Sequence, residues 1–157
     1  MIPPLDYRGL LPSGIHSAKW LELLAYFEAD VRRTKLLTRA REFALAELKP
    51  ALPECALFLA GSTFSDKPNP GDIEGFLVVP MSVLADGSSA QAAAVLQADH
   101  DRIKAQYEVD FYISWGLPGA PDFTAFFQYV GEKSAAMKHL QIKDKRGIIE
   151  VQEWIHG

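Results

Sequence analysis

Apolar positions along this chain fall first into helical periods and then into strand periods. The density of Pro3, Pro4, Gly9, Pro12 and Gly14 predicts an extended arm over residues 1–16. Ser17 then caps a first helix whose Trp20, Leu21, Leu23, Leu24 and Phe27 share one broad face. After Asp30, the residues Leu36, Leu37, Ala40, Phe43, Ala44 and Leu48 lie opposite Arg32, Lys35, Arg39 and Glu42, which predicts an amphipathic helix ending before Pro50. Two residues break that pattern: Glu47 intrudes on the apolar face and Leu45 falls off it.

The continuous apolar run Cys55-Ala56-Leu57-Phe58-Leu59-Ala60, bounded by Pro53 and Gly61, predicts a buried strand. A turn region from Gly61 to Gly71 leads into a second strand, Asp72 to Val79, which alternates at first and then becomes wholly apolar. Ser89 caps a third helix over 90–106, with Ala93, Leu96 and Ile103 inward. A third strand over 107–114 sets Val109, Phe111 and Ile113 on one face and Glu108, Asp110 and Tyr112 on the other. Asp122 caps a short helix holding Phe123, Phe126 and Phe127, and the tail predicts a hairpin of 138–142 against 147–152. This order of elements is that of an α+β (α/β) fold, one mixed β-sheet flanked by helices, in a single domain over 1–157.

Composition narrows the function classes. The chain has 157 residues, 48% of them hydrophobic, enough for one core. No apolar stretch approaches the ~20 residues needed to cross a bilayer, so no membrane partner is expected. The opening Met1-Ile2-Pro3-Pro4-Leu5-Asp6 lacks a basic start and an apolar middle, and the lone Cys55 fits a reducing compartment, so the expected location is cytoplasmic. A net charge of −4 with dispersed Lys and Arg argues against duplex DNA.

The candidate chemistry lies in three acids. Asp72 and Glu74 are two apart on a strand and therefore point to one face. On its own such a pair reads first as a solvated strand end or turn. Asp110 lies between Val109 and Phe111, where an unpaired charge is costly. If its strand neighbours that of Asp72, the three carboxylates form an oxygen cluster suited to a hard divalent cation such as Mg2+ or Mn2+. Ahead of them, Gly61-Ser62 at a strand end can hold phosphate oxygens through backbone N–H groups and a hydroxyl, with Lys67 in the loop above. The combination describes a site for a metal-bound nucleoside triphosphate.

Other residues have plainer readings. His16 is assigned a structural role, orienting the arm or capping the first helix, over contact with substrate; Cys55 is assigned to the core and the phenylalanines of 123–127 to packing, although an aromatic at the sheet edge can stack on a base. His100, His139 and His156 show no zinc spacing with Cys55. Ser62 has no convincing His and Asp partners for a hydrolase triad.

Ala60-Gly61-Ser62, nine intervening residues, Asp72-Ile73-Glu74 and the later strand acid in Tyr107-Glu108-Val109-Asp110-Phe111 together resemble the nucleotidyltransferase (polymerase-beta-like) superfamily. The likeness extends to small bacterial and phage nucleotidyltransferase-like proteins of unknown function, through Leu11-Pro12-Ser13-Gly14-Ile15-His16, Gly61-Ser62-Thr63-Phe64, Pro70-Gly71-Asp72-Ile73-Glu74, Phe126-Phe127-Gln128 and Arg146-Gly147-Ile148-Ile149. The resemblance implies a minimal nucleotidyltransferase-like fold. It implies that Asp72, Glu74 and Asp110 bind the catalytic metals, that Asp110 helps activate the nucleophile, and that Gly61 and Ser62 hold the nucleotide phosphates. It also implies nucleotidyl transfer to a hydroxyl of a protein or RNA acceptor, in a toxin–antitoxin or phage-defence pair. Two departures stand out: Glu74 replaces the commoner second Asp, and Gly75 sits where an apolar residue is usual. The alternative is a catalytically inactive domain of the same fold, an antitoxin or immunity partner acting through protein contact.

Overall fold

The computed structural model describes residues 1–156. In chain order its elements are β1 (Gly14–Ala18), α1 (Trp20–Tyr26), α2 (Val31–Phe43), a wide π turn (Ala44–Leu48), α3 (Lys49–Ala51), β2 (Ala56–Ala60), a 3-10 turn (Ser62–Phe64) and β3 (Ile73–Val79). There follow α4 (Met81–Leu84), α5 (Gly87–Ala98), α6 (His100–Tyr107), β4 (Val109–Trp115), α7 (Phe123–Phe126), α8 (Glu132–Lys138), β5 (Gly147–Val151) and a last 3-10 turn (Trp154–His156). The fold is α+β: a five-stranded sheet in the order β1-β5-β2-β3-β4, flanked by helices. It is mixed, with β1/β5 and β3/β4 parallel and the two central pairings antiparallel. Among the described residues, no helix is long and apolar enough to cross a membrane.

Side chains alternate across each strand, so the two faces of the sheet carry different chemistry. One face sends Leu57, Leu59, Ile73, Leu77, Val109, Phe111, Ile113 and Ile149 into the main core, where α2 contributes Leu36, Leu37, Ala40 and Phe43. The other face carries Phe58, Ala60, Phe76 and Ile148, covered by Phe123 and Phe127 of the C-terminal segment. Glu74 and Asp110 share the strand parity of Phe76 and Tyr112, which puts them on this second face.

Five local expectations are corrected. The arm of 1–16 does not simply lie over the domain: its end enters the sheet as β1 (Gly14–Ala18), so Ser17 lies in a strand and Lys19 occupies the N-cap of α1. A five-residue strand on a sheet edge shows too short an alternation to stand out, and its partner β5 comes from the far end of the chain. The second helix does not stop before Pro50. The π turn inserts an extra residue that resets the helical phase, returning Ala44 and Leu48 to the core, placing Glu47 against Arg102 at 2.5 Å, and admitting Pro50 into α3.

The expected helix over 90–106 is two helices, broken at Asp99, and its cap is Asp86, which accepts from the Ser88 N–H, not Ser89. The third strand starts at Val109, because Glu108 takes a left-handed φ of 57° at the end of α6 and its carboxylate pairs with Arg32 and Arg39 instead of sharing a face with Asp110. The C-terminal hairpin does not form. Lys138 ends α8, and β5 pairs with β1 and β2 in place of 138–142. The cap at Asp122 holds, accepting from the Thr124 and Ala125 N–H groups.

Candidate functional site

β3 and β4 run parallel in a register that sets Glu74 directly opposite Asp110. Asp72 lies two residues before Glu74, just ahead of the strand. On the other side of β3, Ala60 is opposite Glu74, and the chain leaves β2 through Gly61. Gly61 has φ 90° and ψ −164°, a conformation open essentially to glycine alone. A Cβ there would stand 2.8 Å from Glu74 Oε2. The backbone state requires glycine, and the absent Cβ lets the turn's backbone lie against the carboxylate.

The loop that follows is shaped by two arginines of α2. Arg33, 6% exposed, donates from Nε to the Thr63 carbonyl at 2.6 Å and from Nη2 to the carbonyls of Ser65 and Lys67, both at 2.7 Å, and of Ser62 at 3.1 Å. Its Nη1 pairs with Asp30 at 2.8 Å. Arg32 donates to the carbonyls of Pro70 and Gly71 and to the Glu108 carboxylate. These charge-assisted bonds satisfy carbonyls that a loop rich in Pro and Gly leaves without strand or helix partners. They hold Gly61, Ser62 and Lys67 beside the acids.

A cleft of about 950 Å³ results, and every residue proposed from the sequence lines it: Gly61, Ser62, Lys67, Asp72, Glu74 and Asp110. Further side chains contact these residues. His100 Nε2 lies 2.6 Å from Asp110 Oδ1, and the Tyr112 hydroxyl donates to Oδ2 at 3.2 Å. Lys104 Nζ is 3.4 Å from Asp72 Oδ2. Arg146, at the head of β5, is 4% exposed; its Nη2 donates to the Gly61 carbonyl at 2.8 Å, while its Nε is buried with no partner among the described residues. The break at Asp99 starts α6 at His100, which meets Asp110. Arg146 offered one sequence signal, a cation one glycine ahead of the apolar run Ile148-Ile149. Two plainer readings agree with the structure: His16 Nε2 bonds the Pro12 carbonyl at 2.6 Å, and Cys55 is buried, its thiol pushed up to about 11 by burial.

The electrostatics of the cleft are those of crowded negative charge. Burial pushes the Glu74 carboxyl above its ordinary value, and the charges of Asp72 and Asp110 push it further. Burial likewise depresses the Arg146 guanidinium, against the pull of Glu74. Asp110 and Asp72 raise the Lys104 ammonium, and burial with Asp110 pushes the Tyr112 hydroxyl up to about 12. Among the described residues, no three His, Cys, Asp or Glu side chains are drawn together closely enough to hold a metal ion as they stand. The donor chemistry nevertheless fits one. Three carboxylates on one wall suit a hard divalent cation, and such a charge would relieve the repulsion that raises Glu74.

Fold and site thus define an α+β protein with an acid-floored, cation-rimmed cleft at one end of its sheet. The chain belongs to DUF6932, a family of unknown function whose model matches residues 3–152. No curated protein and no solved structure matches it.

Proposed function

We propose that this protein is a minimal nucleotidyltransferase-like domain that takes a nucleoside triphosphate with Mg2+ or Mn2+ and transfers the nucleotidyl group to a hydroxyl of a protein or RNA. The observation that carries this reading is the registered pair Glu74 and Asp110, with Asp72 on the same cleft as Gly61, Ser62, Lys67 and Arg146.

Asp72, Glu74 and Asp110 would hold the cation through carboxylate oxygens. When bound, it supplies charge neutralisation for the triphosphate and lowers the barrier to removing the acceptor's proton. Gly61 and Ser62 receive the phosphates at the turn, and Lys67 and Arg146 add positive charge beside them. His100 and Tyr112 each bond one oxygen of Asp110 and so fix its plane. The acceptor oxygen attacks the α-phosphorus, its proton passes to Asp110, and pyrophosphate leaves.

The test uses nucleoside triphosphates labelled on the α-phosphate, incubated with the protein, Mg2+ and a cell extract. Label retained on protein or RNA, absent with γ-label and lost in Asp72→Asn, is the expected result. A second reading has its own support: His100, Tyr112 and Lys104 already engage Asp110 and Asp72, as in a domain that no longer turns over. It makes the protein an antitoxin or immunity partner. A biological effect that survives Asp72→Asn, Glu74→Gln and Asp110→Asn would favour it.

A further inference from the structure

We propose that Phe126 is the platform on which the heteroaromatic base of the nucleotide stacks, a subsite that makes the ligand a nucleoside triphosphate and not merely a polyphosphate. The proposal rests on the nucleotide reading above.

Phe123, Phe126 and Phe127 are spaced to share one face of a helix. They do not share one fate. Phe127 stacks on Phe76 at 5.2 Å with 12° between the rings, and Phe123 meets the same ring edge-on at 6.2 Å, so both cover the sheet. Phe126 stays 61% exposed on the cleft. It is braced from behind: Phe127 meets it at 5.2 Å and 85°, and Phe123 at 6.3 Å and 63°. A ring fixed by its neighbours yet open to solvent is already organised for a planar partner, because little side-chain freedom remains to be lost on stacking.

Its surroundings point to the same kind of ligand. Met137, Ile142 and Tyr129 are also exposed and line the same cleft, forming an apolar shelf. One face of Tyr129 is covered by the Lys145 ammonium at 3.8 Å, which leaves Phe126 as the more open ring. Lys67, Lys133, Lys143 and Arg146 line the cleft as well. A ligand with a flat apolar part and a polyanionic part can meet both kinds of lining residue in this cleft. At about 950 Å³ the cleft has room for base, sugar and phosphates together.

The experiment is a calorimetric titration, with Mg2+, of ATP, CTP and inorganic tripolyphosphate into the wild type, Phe126→Ala and Phe126→Tyr, all checked for folding by circular dichroism. Stacking on one aromatic predicts that Phe126→Ala weakens ATP binding by about tenfold or more. Tripolyphosphate binding is unchanged, Phe126→Tyr keeps ATP affinity, and ATP binds more tightly than CTP because its ring surface is larger. ATP bound equally well by Phe126→Ala, or ATP and tripolyphosphate bound equally by the wild type, would overturn the subsite while leaving the phosphate site standing. Binding of neither would overturn the nucleotide reading and this proposal with it.

Discussion

Gly61→Ala tests the turn that joins β2 to the acids. The substituted residue would have to hold φ 90° and ψ −164°, a backbone state that costs a non-glycine residue about 1–3 kcal/mol. The new Cβ would also stand 2.8 Å from Glu74 Oε2 and 3.3 Å from its Cγ. Because Oε2 is the far end of a flexible side chain, Glu74 swings aside, and most of the stability loss comes from the backbone. For a chain of this length the loss corresponds to a melting-point drop of roughly 2–10 °C.

Gly14→Ala is the control, since φ there is 115° but nothing among the described residues lies within 4 Å of the added atom. It should cost stability without touching the site. Urea unfolding with linear extrapolation gives both losses, and a Mg2+–nucleotide titration gives the displacement of Glu74. Removing the side chain in Glu74→Ala should lower the further cost of Gly61→Ala, the coupling expected of groups in contact. A Gly61→Ala protein as stable as the wild type, with undiminished nucleotide binding, would refute this account of the turn.

Three further outcomes follow from the same geometry. Arg33→Met removes the buried guanidinium, strands the carbonyls of Thr63, Ser65 and Lys67, and should cost about 3–5 kcal/mol in urea unfolding; a loss under about 1 kcal/mol would contradict its role. Glu108 has its carboxyl held below its ordinary value of 4.5, first by the hydrogen bond from Arg32, so its contribution is complete above 4.5 and disappears as pH falls through the lowered value. The stability gap between wild type and Glu108→Gln should therefore be full at neutral pH and narrow in acid, and a gap that widens there would refute the sign. Glu74 is the reverse case: its raised value means that stability is lost as pH climbs above 4.5 through the folded-state value. Glu74→Gln should be more stable than wild type at neutral pH, with the difference closing in acid, and Mg2+ should stabilise the wild type more than the variant in thermal melts.

What the sequence discloses here depends on how local the physics is. β2, β3 and β4 follow from an apolar run and from alternation within each strand, and Asp72, Glu74 and Asp110 follow from the same alternation. β1 does not, because Gly14–Ala18 is a strand only by virtue of β5. The π turn left a trace in the misplaced Leu45 and Glu47, which mark the change of phase. The nearness of Lys104, His100 and Arg146 to the acids was hidden because it depends on how α6 and the head of β5 pack, not on spacing along the chain. Arg33 was hidden for a similar reason: the carbonyls it serves lie some thirty residues further on, in the turn region.

The most direct measurement of the central claim is a calorimetric titration of each nucleoside triphosphate into the wild type and Asp72→Asn, with and without Mg2+. Binding by the wild type should require the cation and be lost in a folded Asp72→Asn. Binding that ignores both the cation and the substitution, or no binding by a folded wild type, would contradict it.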